Sequence, residues 1–328
     1  MSETIKERKR QAVTAKYQED PDFPREILID ITSHCDHSCA FCANSKLPKR
    51  RAMDPELVVR VLHEAYENGT RDVGLYATGE PFLVKRLPEY VALAKSIGYE
   101  YIYLTTNGAT ARPERAKAVI DAGLNSIKFS MHGGTRETYK AVHGKDDFDK
   151  VMANLKWVSE YRQSAGLNFR IYVTMVINDR NRHEVELLRS LVTPYIDEWD
   201  PHLLTNACGT MPENNDLGHI EPENIRGRTK SNVCFQPFKS FTVTPEGFLS
   251  ACVLDYQAHL LVADLNKLSL KEAWNCPEYR RFRRLHMSGN VKDIICQNCI
   301  YNTNVPVSPL VPELTALVTR TGGEEPDA

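Results

Sequence analysis

The stretch Thr32-Ser33-His34-Cys35-Asp36-His37-Ser38-Cys39-Ala40-Phe41-Cys42 places three cysteines on one short loop, spaced C-x3-C-x2-C. It continues directly from the apolar run 27–32, which reads as a strand. From that strand onward the chain alternates. Runs at 72–77, 101–106, 126–131, 169–177 and 201–206 read as strands, and patterns at 54–68, 85–97, 112–122, 146–165 and 181–195 read as helices. Asp54-Pro55 has the form of an N-cap followed by proline in the first helical turn, and Gly98 and Gly123 stand where helices end. Six strands interleaved with five helices predict parallel βα units in an α/β fold, a partial (β/α)6 TIM-like barrel that falls short of the eight units needed for closure.

After about residue 210 the alternation stops. Residues 211–231 are polar and read as a linker. Runs at 238–244 and 248–253 flank Pro245-Glu246-Gly247 and predict a β-hairpin, and a helix follows at 269–286. The expected organisation is an N-terminal extension (1–26), the barrel (27–210), the linker, a small α+β domain (232–302) and a loose tail (303–328).

Composition bounds what such a chain does. It has 328 residues, 42% hydrophobic and 26% charged, enough to bury a core without staples. A net charge of −2 argues against a nucleic-acid footprint spread over the surface. The opening MSETIKERKRQ is charged and unlike a secretory signal, and no long apolar run suggests a membrane span, so a cytoplasmic protein is expected. Nine cysteines in such a chain point to metal or chemistry more than to disulfides.

Three thiolates on one loop hold three irons of a cubane cluster and leave the fourth open, and open coordination sites mark catalytic metals. The loop also lies where barrel enzymes place their chemistry, after a strand. With Phe41 before its last cysteine, this loop resembles the signature of the radical S-adenosylmethionine superfamily over about residues 27–206. The resemblance implies that Cys35, Cys39 and Cys42 hold a [4Fe–4S] cluster whose open iron binds S-adenosylmethionine, which is cleaved to a hydrogen-abstracting 5′-deoxyadenosyl radical. Thr78-Gly79-Glu80-Pro81, after the second strand, matches the family's Gly-Gly-Glu-Pro motif except at Thr78, and implies a cradle for the methionine ammonium group. Asn107 after the third strand and Ser130 after the fourth are carried over as polar contacts to the same cofactor, though ordinary turn and capping chemistry also accounts for both.

Cys234 and Cys252, spaced C-x12-G-x4-C, and the pair Cys296 and Cys299 make a second site of four thiolates. By ligand chemistry alone it suits zinc or an iron–sulfur cluster. The arrangement resembles the SPASM/Twitch extension of the same superfamily. With no cysteine after Cys299, the resemblance implies one auxiliary [4Fe–4S] cluster in an electron-transfer role, as in aminocyclitol dehydrogenase-type members.

The remaining groups are read both ways. Cys276 precedes a proline and reads as a buried helix-start residue rather than a ligand. Cys208, just past the sixth strand, is either a small strand-end residue or a hydrogen donor to a substrate radical. Arg280, Arg281, Arg283 and Arg284 read as a solvated face, or as docking for a flavodoxin or ferredoxin-type donor. Lys46, Lys49, Arg50 and Arg51 read as solvated too, and His132, His143 and Arg170 as structural or surface residues within reach of substrate. The resemblance then implies an oxidoreductase. It would take two electrons from a secondary alcohol in a small polar metabolite such as a sugar or cyclitol, with radical epimerisation through Cys208 and peptide modification as alternatives.

Overall fold

Asp54 caps the helix Pro55–Glu67 by accepting the backbone N–H groups of Glu56 and Leu57, with Pro55 in the first turn. Its buried face of Leu57, Val58, Val61, Leu62 and Ala65 repeats at helical spacing and packs onto the sheet. The later barrel helices Leu87–Ile97, Pro113–Asp121, Phe148–Ser164 and Val185–Val192 likewise bury an apolar face. The computed structural model describes residues 17–47, 49–218, 234–301 and 303–319.

Six parallel strands, β1 (Glu26–Ile29), β2 (Asp72–Gly74), β3 (Tyr101–Thr106), β4 (Ser126–Ser130), β5 (Arg170–Ile177) and β6 (Glu198–Leu203), lie side by side in chain order. They form a mixed α/β partial barrel that does not close. Its loops at the C-terminal strand ends carry the cysteine loop, Thr78–Pro81 and Asn107.

The free edge of β1 is not bare. Strand β7 (Thr242–Val243) pairs with it in parallel, placing Leu28 opposite Thr242. Strands β8 (Phe248–Ser250) and β9 (Leu261–Asp264) extend the sheet antiparallel, giving nine strands in the order β6-β5-β4-β3-β2-β1-β7-β8-β9. The small C-terminal domain therefore continues the barrel sheet. The described part of the N-terminal extension clamps the two together. Phe23 packs edge-on to Phe241 and Trp274, and the Trp274 Nε1–H donates to Pro21 O at 3.1 Å.

Several details depart from the sequence reading. A helix at Arg136–His143, capped by the Thr135 side chain, occupies a stretch with no expected element. Its apolar face is only Tyr139, Val142 and the buried His143, too short a pattern to read. Strand β6 lies three residues earlier than expected. The single helix expected at 269–286 is two, Leu270–Trp274 and Pro277–Met287, because Pro277 cannot continue a helix but can start one. The described part of the expected loose tail contains the helix Pro312–Thr319, whose Leu314 and Val318 pack on Phe248, Ala258 and Leu261. The linker's first residues hold a short helix, Asn214–Leu217, and positions 219–231 of that linker lie outside the described residues.

Candidate active site

The cysteine loop is held against the strand ends by backbone geometry that only glycine permits. A Cβ on Gly79 would lie 2.2 Å from Thr32 O and 2.5 Å from His34 O. Asn44 fastens the far side, its Nδ2 donating to both Ser33 O and Thr78 O at 2.8 Å. Cys35, Cys39 and Cys42 converge there. Burial pushes the Cys35 thiol up to about 11, and Cys39 and Cys42 are raised for the same reason. Three half-buried thiols that resist ionisation on their own are a donor set that a multiply charged metal group would stabilise as thiolates, so the residues fit an iron–sulfur cluster.

Glu80 is fully buried, and burial raises its pKa to about 7. Its carboxylate accepts from Asn107 N (2.7 Å), Thr106 Oγ1 (2.7 Å) and Phe82 N (3.0 Å), so it locks the end of β3 onto the turn after β2. Asn107 in turn donates through Nδ2 to Asp36 Oδ1 at 2.7 Å, inside the cysteine loop. The Phe41 ring stands edge-on to His132, with centroids 4.9 Å apart. Pro81 starts a single 3-10 turn. Ser130 closes β4 opposite Thr174. Thr78, the departure from the family motif, has a partner of its own. Its hydroxyl donates to Asp30 Oδ2 and its N–H to Asp30 Oδ1 at 3.2 Å.

That Asp30 carboxyl is buried, which raises its pKa to about 7. It opens onto a cavity of about 440 Å³ between the barrel and the C-terminal domain. Thr78, Lys46 and Lys49 line the barrel side, and Glu246, Asp255 and Tyr256 the other. The Tyr256 hydroxyl is hydrogen-bonded to the Cys42 thiol. Asp255 is raised by burial to about 6 and fastens its loop by accepting His259 N (2.8 Å) and Leu260 N (2.7 Å). None of Asp30, Asp255 or Tyr256 stood out in the sequence. The available signals were that Asp30 lies in the apolar run leading to the cysteine loop and that Asp255 and Tyr256 closely follow Cys252.

The second thiol group is larger than the expected four. Cys234, Cys252, Cys296 and Cys299 share one neighbourhood, and Cys208 is hydrogen-bonded within it to Cys252 and Cys299. Cys208 is 4% exposed. It reaches that position through a left-handed turn with φ of 46°, 59° and 87° at Ala207, Cys208 and Gly209. A Cβ on Gly209 would sit 2.7 Å from Asn298 Nδ2, so the turn is pressed onto the helix Ile295–Tyr301. Asn206 ties it there by donating to Asn298 O (3.3 Å) and Thr303 O (3.2 Å). These half-buried thiols, with the buried Cys208 among them, likewise fit a metal cluster. Cys276 lies apart, its thiol on Val262 O at 3.4 Å, as a buried helix N-cap.

The arginine run is not a free face. Arg280 pairs with Asp20 (2.6 Å) and Arg284 with Glu19, while Arg283 is buried over the rings of Trp274 (4.0 Å) and Tyr279 (4.1 Å). Arg281 remains exposed. Arg170 lies at the start of β5, the end away from the cysteine loop, near Asp197 at 3.8 Å.

Comparison with known proteins agrees with this geometry. The Radical SAM superfamily profile matches residues 29–192, half of the chain, and the iron-sulfur cluster-binding domain SPASM matches residues 234–300. The chain belongs to the radical SAM superfamily and carries a C-terminal SPASM domain. Its cofactors are S-adenosylmethionine, a [4Fe–4S] cluster and auxiliary iron–sulfur. A probable GTP 3′,8-cyclase of Saccharolobus solfataricus is 28% identical over 250 residues, covering 75% of this chain and 79% of that protein. BtrN in complex with AdoMet and 2-DOIA shares the fold with a TM-score of 0.58 at 18% identity, covering 88% of this chain and 96% of its own. Streptococcus suis SuiB bound to precursor peptide SuiA does so with a TM-score of 0.65 at 14% identity, covering 84% and 70%. Among the described residues no helix is long and apolar enough to cross a membrane.

Proposed function

We propose that this enzyme oxidises a secondary alcohol of a small polar metabolite, of sugar or cyclitol size, to a ketone. The observation that carries the reading is the cavity of about 440 Å³ between the barrel and the C-terminal domain, lined on one side by Ser33 and Thr78 and on the other by Asp255 and Tyr256. One wall holds Tyr256, hydrogen-bonded to Cys42, and the loop that bears Tyr256 begins at Cys252. A molecule in that space would lie beside the Cys42 end of the proposed radical source, with the Cys252 loop leading to the proposed electron acceptor. When bound, the cluster on Cys35, Cys39 and Cys42 with S-adenosylmethionine supplies the hydrogen-abstracting radical, and one auxiliary [4Fe–4S] cluster on Cys234, Cys252, Cys296 and Cys299 supplies the acceptor.

This chain's own residues would bind and deprotonate the alcohol. Glu246 and Asp30 accept hydroxyl or ammonium hydrogens, and Lys46 and Lys49 offset their charge at the rim. Asp30, with a pKa near neutrality, is suited to take the hydroxyl proton at Oδ1 or Oδ2 while Thr78 holds the carboxylate in place. Three carboxylates against two lysines make the cavity a poor receptor for a nucleoside triphosphate, which favours a neutral or amine-bearing polyol over GTP. The position of Cys208 against Cys252 and Cys299 favours dehydrogenation over epimerisation, since its thiol faces other thiols. Gly79, Glu80, Pro81, Asn107 and Ser130 remain proposed S-adenosylmethionine contacts, and a flavodoxin or ferredoxin-type protein the proposed reductant.

The test is anaerobic reconstitution followed by incubation with S-adenosylmethionine, reductant, and panels of cyclitols, amino sugars, peptides and GTP. Expected are 5′-deoxyadenosine and a product lighter by two hydrogens from a polyol, with deuterium moving from the carbinol carbon into 5′-deoxyadenosine. Turnover of GTP or peptide instead, or a product of unchanged mass lost in Cys208→Ala, overturns it.

A further inference from the structure

Beside the first cysteine group lies a buried chain of three histidines that the proposed reaction does not use. Its hydrogen bonds leave only one arrangement of protons. The backbone N–H of His132 donates to His143 Nε2 at 3.1 Å, so that nitrogen is bare and the neutral ring carries its proton on Nδ1. The backbone N–H of Val176 donates to His132 Nδ1 at 3.0 Å, which fixes that ring the opposite way. At the far end His37 Nε2 lies 3.2 Å from Asp147 Oδ2. Lys145 and Lys150 lie around the same carboxylate and favour its ionised form, so His37 donates from Nε2 and its Nδ1 is bare. His143 Nδ1 stands 3.2 Å from that bare nitrogen and 3.7 Å from Cys39 Sγ. One proton therefore faces two acceptors. The His143 ring has no freedom to turn away, being stacked between Tyr139 at 3.9 Å and His132 at 4.7 Å.

We propose that His143 is a positioning residue that donates an N–H···S hydrogen bond to Cys39, that the backbone N–H of His132 holds it in the donating tautomer, and that His37, oriented by Asp147, competes with the sulfur for the same proton. Hydrogen bonds to cluster sulfurs stabilise the reduced, more negative state and raise the reduction potential. The chain thus sets how readily the first cluster accepts the electron that starts each turnover. This inference rests on the cluster the family brings and not on the alcohol reading, so the two fail separately.

The two histidines predict shifts of opposite sign, which loosened packing would not produce. In the reconstituted full-length enzyme, the potential is read by dye-mediated titration of the EPR signal that responds to S-adenosylmethionine. His143→Phe keeps the ring stack but removes the donor. It should lower the reduced-to-oxidised ratio at fixed potential about tenfold, equivalent to about 59 mV for one electron. His37→Phe leaves the His143 proton to Cys39 alone and should move the potential up. His143→Gln keeps an N–H and should restore most of the wild-type value. An unchanged potential in His143→Phe with iron retained, or shifts of the same sign in both, overturns the proposal. Should His143→Phe fail to hold iron, ring nitrogen-15 spectra of the metal-free wild-type protein decide instead. A proton on Nδ1 of His143 and on Nε2 of His37 supports the chain, and any other tautomer pair rejects it.

Discussion

The two cysteine groups are built in opposite ways. Cys35, Cys39 and Cys42 belong to one continuous loop, and chain geometry alone brings them within reach of one another. Cys208, Cys234, Cys252, Cys296 and Cys299 come from four separate segments, joined only by the extension of the sheet through β7–β9 and the docking of helix Ile295–Tyr301. The first site takes its three thiols from one loop, and distant residues such as Thr78 and Asn107 only fasten that loop to the strand ends. The second exists only if the tertiary structure holds, so the electron acceptor is the more fragile half of the proposed reaction.

The sharpest way to break that contrast is to remove each group in turn. Cys39→Ala should abolish 5′-deoxyadenosine formation and take iron from about eight to about four per chain, leaving the assembled site loaded. Loss of all iron would mean the two sites are not independent. Cys252→Ala should do the reverse. Iron again falls to about four, 5′-deoxyadenosine still forms, and ketone formation drops at least about a hundredfold, read by iron assay and mass spectrometry. Glu80→Ala leaves the N–H groups of Asn107 and Phe82 and the Thr106 hydroxyl without their buried acceptor. It should cost about 3 kcal/mol in urea unfolding.

Asp30 tests the cavity between the barrel and the C-terminal domain. Its pKa is about 7 when folded against an ordinary 3.8, so the folded state binds the extra proton and stability falls as pH rises from about 4 to 7. Asp30→Asn should remove that slope. Relative to the parent it should gain about 2.7 kcal/mol at pH 8 over pH 5, from about 1.4 kcal/mol per pH unit between 5 and 7. The smallest effect probes the assembled site's hinge. Gly209→Ala puts a Cβ at φ 87° against Asn298 and should cost about 1 kcal/mol or somewhat more, read as a lowered melting temperature, with iron lost from the assembled site first.

What reads from the sequence follows from how local each feature is. The barrel strands are contiguous apolar runs punctuated by caps such as Asp54-Pro55, so their order and direction were legible. The helix Arg136–His143 was not, because its buried face includes a histidine, which reads as surface until its partners are known. That same helix places His143 on Cys39.

The sequence by itself determined the cysteine loop, the Gly79-Glu80-Pro81 turn and the βα order, because each depends on residues a few positions apart. Only the tertiary structure decided that Thr78 answers to Asp30, that Tyr256 reaches Cys42, that Cys208 belongs with the second thiol group, and that His37 and His143 share one proton. These are hydrogen bonds between buried groups tens to hundreds of residues apart. Whether a buried polar group has a partner, and which one, is fixed by packing, on which chain spacing is silent.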